Sequence, residues 1–447
     1  MPADLWPDPN ALGPVTDLYQ LTMMAGYSAS GMADKPAVFE MFVRRLPKNR
    51  SYLVFAGLEQ ALTDLLRLGF SDEQVDYVRG LPAFGHVPDS WFNQLRTFKF
   101  TGDVWAMREG TIFFGGETVL RVEAPLAQAQ LAETFLLASL AYPTLVASKA
   151  LRCVQAAGGR SLFDFGARRG HGPHAGFLCA RASYLAGFDG TSHVEAARRL
   201  GIPAIGTMAH AWVQAFPTER EAFTAYARTF PDSTTLLVDT YDTLEGVRHA
   251  AAIPETHAIR LDSGDLATLA RQARSILDDA GRPDVKIVAS GDLDEWKIRD
   301  LLAGNAPIDA FGVGTELITS RDAPALSMVY KLVAIDGQGK IKLAPGKKTY
   351  PGAKQVWRRL SAAGHFAGDH VTGATETSHG TPLLQKFIHQ GELTGQLPDL
   401  QSIRAFVQSQ SHALPGEFKN LDSAQTYPIS YSDALEEEAA RLGLTAG

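Results

Sequence analysis

Seven consecutive segments share one pattern: a short apolar run, then a polar or glycine-rich turn, and in most of them a helical periodicity. In chain order they read SLFDFGARRG, ASYLAGFDGTSHVEAARRLG, PAIGTMAHAW, TLLVDTYDTLEGV, HAIRLDSGDLATLARQA, KIVASGDLDEWKIRDLL and DAFGVGTELI. Such alternation predicts a parallel sheet with helices outside it. Seven units in so short a stretch favour a closed, somewhat irregular α/β barrel over an open doubly wound sheet. No Gly-x-Gly-x-x-Gly opens a helix here, which weakens a dinucleotide-binding alternative.

The segments on either side of the repeats predict a mixed α+β domain. We expect an N-terminal α+β domain over residues 1–126, an α/β barrel over 127–330, and a C-terminal segment over 331–447 that packs back on the N-terminal domain. Residue patterns predict helices at 16–27, 52–68 and 72–81, a strand at 38–43 and a long helix from residue 127. They also predict a hairpin about Asp336-Gly337, a basic turn and strand in KKTYPGAKQVWRRL, and an acidic helix near 436–438.

Composition excludes some classes of function. The chain has 447 residues, of which 45% are hydrophobic and 20% charged, as in an ordinary globular enzyme. Its net charge is −7 and it has no long basic run, so we expect neither a nucleic-acid partner nor binding to an anionic membrane. An anion site would therefore need locally placed arginine, histidine and backbone NH groups.

Cysteine content and hydropathy indicate a cytoplasmic protein. Only Cys153 and Cys179 occur, so a disulfide framework is not expected and a reducing compartment fits. We expect no signal peptide, because the sequence lacks a basic region followed by an apolar stretch at its start. The most apolar window, 131–148, contains Glu133 and Pro143 and is interpreted as a core helix rather than a membrane span.

Polar side chains follow the apolar runs, and in a barrel this is the strand end at which active sites lie. Arg168 and Arg169 are forked donors that suit a carboxylate or phosphate, although a doubled arginine also occurs in solvated turns. His171 and His174 follow them and could be metal ligands. The HxxH spacing alone is weak, since no second group has clear ligand spacing.

Carboxylates cluster in two further turns. Arg260, Asp262 and Asp265 surround a Ser-Gly turn, and one cation beside two carboxylates suits a ligand with hydroxyls, Mg²⁺ and phosphate. Asp239 and Asp242 repeat that chemistry, although each could equally cap a helix. We expect any Mg²⁺ to lie near Asp239 and Asp262.

Two glycine-rich turns follow the last two predicted strands. Their sequences are Ser290-Gly291-Asp292 and Gly312-Val313-Gly314-Thr315. Glycines allow backbone NH groups to approach a phosphate closely, and a phosphate site after the last two strands is a recurrent barrel feature. The pair of turns therefore predicts a phosphate cradle.

A single histidine occupies a corresponding position in the third segment. Apolar residues at 202–205 predict a buried strand, and a helix is expected from Ala211, which places His210 at the strand's carboxyl end. A neutral imidazole there could accept a proton or a phosphoryl group. Alternatively, His210 is a core or capping residue.

Together these groups suit transfer of a phosphorylated sugar, through a transition state of oxocarbenium character with departing diphosphate. TDLYQLTMMAGY, FDFGARRGHGPHAG, FDGTSHVEAARRLGIPAIGTMAHAW, RLDSGDL and FGVGTELITS, in this order, resemble nicotinate phosphoribosyltransferase, a type II phosphoribosyltransferase. KKTYPGAKQVWR and LPDLQSIR extend the resemblance towards the C-terminus. It implies an irregular α/β barrel with an α+β domain built from both chain ends. It also implies ATP-assisted condensation of nicotinate with phosphoribosyl pyrophosphate, with Mg²⁺, to form nicotinate mononucleotide on a route to NAD.

The resemblance also assigns roles. His210 matches the family's transiently phosphorylated histidine, and Tyr19 matches the aromatic residue that stacks on the pyridine ring across a homodimer interface. Positions near nicotinate are matched by Arg168, Thr207 and Arg260, with an arginine pairing the carboxylate. Asp262 matches a ribose and diphosphate contact. The 5′-phosphate loops are matched by Ser290, Gly291, Gly312, Gly314 and Thr315.

One position bears on substrate choice. Nicotinamide phosphoribosyltransferases carry Asp after the FxGT stretch, whereas FDGTS places Ser192 there. A buried Asp would repel a carboxylate, whereas Ser can donate a hydrogen bond to it, so nicotinate is the expected substrate. Three alternatives remain: nicotinamide use, a metal-dependent barrel hydrolase built on His171, His174 and His210 with the aspartates, and a non-catalytic binding relative. Ser192 could also be only a helix cap.

Overall fold

The computed structural model describes residues 7–343 and 349–443. Residue contacts divide the chain into two compact units. The first combines both ends of the chain, Met1–Thr144 and Ala325–Gly447, and the second is Leu145–Pro324. The division falls inside one long helix.

The elements of the described residues are as follows. The N-terminal part contains α1 (Leu18–Ala29), β1 (Pro36–Val43), β2 (Leu53–Val54), α2 (Leu58–Leu65), α3 (Asp72–Gly80), α4 (Asp89–Arg96), β3 (Asp103–Met107), β4 (Ile112–Phe113), β5 (Thr118–Pro125) and α5 (Leu126–Ala157). The middle part contains β6 (Ser161–Asp164), α6 (Pro173–Leu185), β7 (Gly190–Thr191), α7 (Val194–Leu200), α8 (His210–Gln214), α9 (Glu219–Thr229), β8 (Thr234–Leu237), α10 (Thr243–Ala251), β9 (Thr256–Leu261), α11 (Leu266–Asp279), β10 (Lys286–Ala289), α12 (Glu295–Ala303), β11 (Ala310–Val313) and α13 (Thr315–Ile318). The C-terminal part contains β12 (Met328–Ile335), β13 (Gln338–Gly339), β14 (Lys354–Leu360), β15 (Phe366–Gly373), β16 (Thr381–Pro382), β17 (Leu384–His389), β18 (Glu392–Leu393), α14 (Leu400–Ala413), β19 (Ile429–Tyr431) and α15 (Asp433–Arg441).

The first unit is an α+β domain built from both ends of the chain, as predicted. Its main sheet has the order β13-β12-β1-β5-β3-β17-β18, so the three N-terminal strands lie in the middle and C-terminal strands pair antiparallel with them on both sides. A second sheet has the order β16-β14-β15-β19. In the core, the rings of Phe39 and Tyr330 stack 4.9 Å apart, joining β1 to β12. Burying such aromatic and aliphatic faces is the main force that holds the two ends together.

The second unit contains the predicted parallel sheet as a half-barrel. Its strand order is β7-β6-β11-β10-β9-β8, and each adjacent pair is parallel. Most strands lead into a helix, which confirms the α/β class. The sheet is not fully closed as expected, because within the described chain the edge strands β7 and β8 do not pair with each other.

The predicted buried strand at 202–205 is wrong. Only one bridge forms there, between Ala204 and Thr191 of β7. Pro203 has no NH to donate to a ladder, and both Pro203 and Ala204 are exposed. The following helix begins at His210, one residue before the predicted start.

The predicted helix at 52–68 begins late, at Leu58. The residues before it form β2, which pairs antiparallel with β4. Gly57 then adopts a left-handed conformation with φ of 94°, which separates the strand from the helix. Strand pairing between distant segments thus overrides the helical spacing of the apolar residues.

The structure confirms those C-terminal elements predicted from the sequence that fall on described residues. The hairpin about Asp336-Gly337 joins β12 to β13, and the acidic helix is α15. The strand expected after the basic turn is β14. Lys347 and Lys348 of that turn lie outside the described residues, as do residues 1–6.

Helix α5 is long and apolar enough to cross a membrane by length and composition alone, with a window of mean hydropathy 1.3. Within the protein, 61% of that window is buried. Its C-terminal half carries two buried cations, Lys149 and Arg152, which contact the Glu295 carboxylate of α12 at 2.6 and 2.9 Å. Burial disfavours the Lys149 ammonium, but Glu295, Cys153 and Asp322 together outweigh that effect, so the pKa of Lys149 is raised. This pairing ties α5 to the helix that follows β10.

Candidate active site

A cavity of about 520 Å³ lies in the second unit at the carboxyl ends of the parallel strands. It brings together residues that are far apart in sequence, because parallel strands end at the same edge of a sheet. Ten predicted site residues line it: Arg168, Ser192, Thr207, Arg260, Asp262, Ser290, Gly291, Gly312, Gly314 and Thr315.

Two loops of this cavity are held by the buried side chain of Asp164, the last residue of β6. Its carboxylate accepts hydrogen bonds from the Gly166 NH and the Thr191 hydroxyl, both at 2.8 Å. Its carbonyl accepts the Ser192 NH at 2.8 Å. Burial raises the pKa of the Asp164 carboxyl, and the two hydrogen bonds oppose that shift. Asp164 therefore positions the turns that carry the arginines and Ser192.

Arg260, near the end of β9, is the most enclosed cation of the cavity, with a side chain 13% exposed. Its Nη1 donates to the Thr207 hydroxyl and, at 3.3 Å, to the Met208 carbonyl. Its Nη2 lies 3.6 Å from the Asp262 carboxylate. Desolvation lowers the pKa of Arg260, and the nearby positive charge of Arg168 lowers it further, against the pull of the aspartates. Arg168 and Arg260 thus both contribute positive charge to the cavity.

Asp262 and Asp239 are joined through the turn after β9. The Asp239 Oδ2 accepts the Asp262 NH at 3.1 Å and the Ser263 hydroxyl at 2.6 Å. The Asp262 Oδ1 accepts the Ser290 hydroxyl at 2.5 Å, which links this turn to the one after β10. The Asp239 Oδ1 is buried and has no hydrogen-bond partner within the described chain.

The donor set at Asp239 and Asp262 fits Mg²⁺. Mg²⁺ keeps several waters and needs only one or two protein carboxylates, so the unpartnered Asp239 Oδ1 is a suitable ligand. The described residues contain no group of three or more His, Cys, Asp or Glu that could hold a metal ion, so a Mg²⁺ ion here would take most of its ligands from water and substrate.

His210 lies beside the cavity rather than among its lining residues. It is the first residue of α8, directly after Met208 and Ala209, which do line the cavity. Its side chain is half-buried, and its Nδ1 lies 3.1 Å from the Thr240 hydroxyl. His210 therefore neither sits in a hydrophobic core nor caps a helix through its side chain.

The glycine-rich turns contact the backbone and ring of neighbouring loops. Gly291 has φ of 97°, and an added Cβ would lie 2.1 Å from the Asp262 carbonyl oxygen. Gly312 lies at the end of β11 rather than in the turn that the sequence predicted, and a Cβ there would lie 2.4 Å from the Phe165 ring. Larger residues would therefore clash with these neighbours, which explains why glycine occupies both positions.

Several other predicted residues have different surroundings. His171 and His174 are exposed, and neither lines the cavity. The carboxylates of Asp242 and Asp265 cap helices α10 and α11. Ser192 caps nothing, because His193 is the cap of α7 and its Nδ1 accepts the Ala196 NH. Tyr19 lies in α1 of the first unit, with 48% of its surface exposed.

Three family models match successive parts of the chain. The nicotinate phosphoribosyltransferase N-terminal domain matches residues 15–141, the nicotinate phosphoribosyltransferase family 160–359, and the C-terminal domain 374–438. The chain belongs to the nicotinate phosphoribosyltransferase family.

Similar proteins agree with this membership. Nicotinate phosphoribosyltransferase pncB2 of Mycobacterium tuberculosis is 47% identical, over 96% of this chain and 93% of its own. The Bacillus subtilis nicotinate phosphoribosyltransferase is 41% identical, over 94% and 92%. The crystal structure of human nicotinic acid phosphoribosyltransferase superimposes with a TM-score of 0.86 at 30% identity, covering 96% of this chain and all of that one.

Sequence reasoning assigned no site role to four residues that this phosphoribosyltransferase family member places at the cavity: Phe165, Gly206, Met208 and Ala209. All four lie within stretches that the motifs already covered. Asp292, the last residue of a predicted phosphate turn, also lines the cavity. Asp292 has φ of 47°, an uncommon backbone conformation for a residue with a side chain. The contact of Thr240 with His210 joins loops 30 residues apart, so no local pattern could reveal it.

We predict that Gly291→Ala destabilises the protein by about 1–3 kcal/mol, because the new methyl group meets the Asp262 carbonyl and φ stays positive. Urea unfolding of the full chain measures this. Gly206→Ala is the matched control, since its Cβ would meet no atom within 4 Å. Equal losses in the two variants would contradict the steric argument.

Proposed function

We propose that this protein condenses nicotinate with 5-phosphoribosyl 1-diphosphate to form nicotinate mononucleotide and diphosphate, in cytoplasmic NAD biosynthesis. The observation that carries the proposal is the single cavity where Arg260, Asp262 and two glycine-rich turns meet. Membership of the nicotinate phosphoribosyltransferase family supports the same chemistry.

The nicotinate carboxylate would bind between the two arginines. The positive charges of Arg168 and Arg260 repel each other, so an anion bound between the two side chains would relieve that repulsion. The Arg260 Nε is buried without a partner among the described residues, and Thr207 and Ser192 offer hydroxyl groups nearby. A carboxylate therefore suits this part of the cavity better than a neutral amide does.

The phosphoribosyl group would bind to the other side of the cavity. Ser290 and Gly291 follow β10, and Gly314 and Thr315 follow β11, so backbone NH groups of two adjacent turns can approach the 5′-phosphate. Asp262, held by Ser290, would accept ribose hydroxyls. Catalysis then rests on positioning and on stabilising an oxocarbenium-like ribose as diphosphate departs.

Mg²⁺ would be held by Asp239 and Asp262. When bound, it supplies charge neutralisation for the departing diphosphate. Asp239 and Asp262 are themselves oriented by the hydrogen bonds from Ser263 and Ser290.

ATP coupling would act through His210. The family resemblance assigns it transient phosphorylation, and its half-buried position directly after the cavity-lining Ala209 supports that role. We also propose a homodimer in which Tyr19 completes the partner's active site. Tyr19 and the neighbouring Leu18 are 48% and 52% exposed, which is consistent with an apolar contact surface.

Product formation tests the proposed reaction. The protein is incubated with phosphoribosyl pyrophosphate, Mg²⁺ and either nicotinate or nicotinamide, with and without ATP. We expect nicotinate mononucleotide, formed faster with ATP, because the arginines favour the carboxylate. If nicotinamide were the only base to give product, the protein would instead be assigned as a nicotinamide phosphoribosyltransferase. No nucleotide from either base would contradict the transferase, and metal analysis would then test the hydrolase alternative.

We predict that His210→Ala abolishes the stimulation by ATP and strongly reduces turnover, because the phosphoryl acceptor is gone. The measurement is the initial rate of nicotinate mononucleotide formation with and without ATP. His171→Ala is the control: this exposed histidine lies outside the cavity, so ATP stimulation should persist. Full stimulation in His210→Ala would rule out the assigned role.

Ser192→Asp should raise the KM for nicotinate at least about tenfold, which corresponds to about 1.4 kcal/mol of binding, because a second carboxylate repels the ligand. Ser192→Ala loses at most one hydrogen bond and should raise the KM less. Steady-state kinetics with varied nicotinate compare the two variants. An unchanged KM in Ser192→Asp would show that this side chain does not face the base.

A further inference from the structure

The ring of His210 has one polar side-chain contact within the described part of the chain, and it is made by Thr240. The Nδ1 atom lies 3.1 Å from the Thr240 hydroxyl oxygen. No described side chain forms a hydrogen bond with the Nε2 atom, although the ring is only half-buried. The two nitrogens of this imidazole are therefore in different environments.

The loop that carries Thr240 is held on both sides. Before it, Asp239 accepts hydrogen bonds from the Asp262 NH and the Ser263 hydroxyl. After it, the Asp242 carboxylate accepts the Glu245 NH at 2.9 Å and caps α10. Both aspartates of the loop are thus engaged elsewhere, and the neutral hydroxyl between them is the group that reaches the histidine.

A neutral partner differs chemically from a carboxylate at this position. A carboxylate at Nδ1 would stabilise a protonated imidazolium, which has no lone pair for attack. A hydroxyl oxygen can accept the Nδ1–H of a neutral ring without adding charge. When the hydroxyl accepts the Nδ1–H, the proton is held on Nδ1 and the lone pair lies on Nε2; when it donates to Nδ1, the tautomer is reversed.

We propose that Thr240 is a positioning residue that keeps the proton of His210 on Nδ1 and so directs phosphorylation to Nε2. The inference rests on the proposed phosphohistidine. The Nε2 lone pair attacks the γ-phosphorus of ATP, the N–P bond forms, and the bond to the bridging oxygen breaks with its electron pair leaving on ADP. The Nδ1 proton stays on the ring, so the phosphorylated imidazole is cationic. It then departs as neutral imidazole when water takes the phosphoryl group as inorganic phosphate.

The experiment uses the full-length protein in two measurements. ¹⁵N chemical shifts of His210, assigned by comparison with His210→Ala, report which nitrogen carries the proton; we expect Nδ1. Incorporation of labelled phosphate from ATP is then compared in wild type, Thr240→Val and Thr240→Ser. Thr240→Val keeps the shape but loses the hydroxyl, and its phosphorylation should slow roughly three- to tenfold, with some label on Nδ1. Thr240→Ser should stay within about twofold of wild type.

The results distinguish a failure of the proposed role of Thr240 from a failure of the proposed phosphohistidine at His210. Thr240→Val that is labelled on Nε2 alone at the wild-type rate would overturn the role of Thr240, and so would a wild-type His210 protonated on Nε2. A purely structural role would slow Thr240→Val without changing the tautomer or the labelled nitrogen, which would also overturn it. Wild type without label, or His210→Ala with equal label, would remove the phosphohistidine itself and this inference with it.

Discussion

A buried carboxylate at the end of β6 holds the turns on which the candidate site depends. Asp164 accepts hydrogen bonds from Gly166 and Thr191, and its carbonyl receives the Ser192 NH. An ionised carboxylate away from water is costly, and burial accordingly raises the pKa of Asp164. The hydrogen bonds offset part of that cost, and they do so only while the turns keep their positions. The arrangement of the arginine turn and of Ser192 is thus coupled to the folding of the sheet.

The cavity combines charges of both signs. Arg168 and Arg260 supply positive charge that suits a small carboxylate, and Arg260 also contacts Asp262, whose NH is bound by the Asp239 carboxylate. Among the buried side-chain atoms without a hydrogen-bond partner in the described residues, Nε of Arg260 and Oδ1 of Asp239 have opposite polarity. Since buried polar groups are usually satisfied, each of these two atoms has hydrogen-bonding capacity left for a ligand.

Much of the site could be predicted because its chemistry recurs at one point of each repeat. The turn after an apolar run can be recognised within a single segment, and parallel strands end at the same edge of the sheet. Arg260, Ser290 and Gly314 accordingly line one cavity. The same reasoning failed at 202–205, where Pro203 prevents a ladder. It also missed the contact between His210 and Thr240, since spacing within one segment carries no information about partners in another.

Local sequence by itself determined the α/β class, the identity of the polar groups after each strand, and the family. These follow from periodicity, turn chemistry and residue types, which act over a few neighbouring residues. Tertiary structure alone decided that the sheet is a half-barrel, that Asp242 caps a helix while Asp239 faces the turn after β9, and that Thr240 reaches His210. The physical reason is that backbone pairing and burial between distant segments, rather than local preference, select one partner for each polar atom.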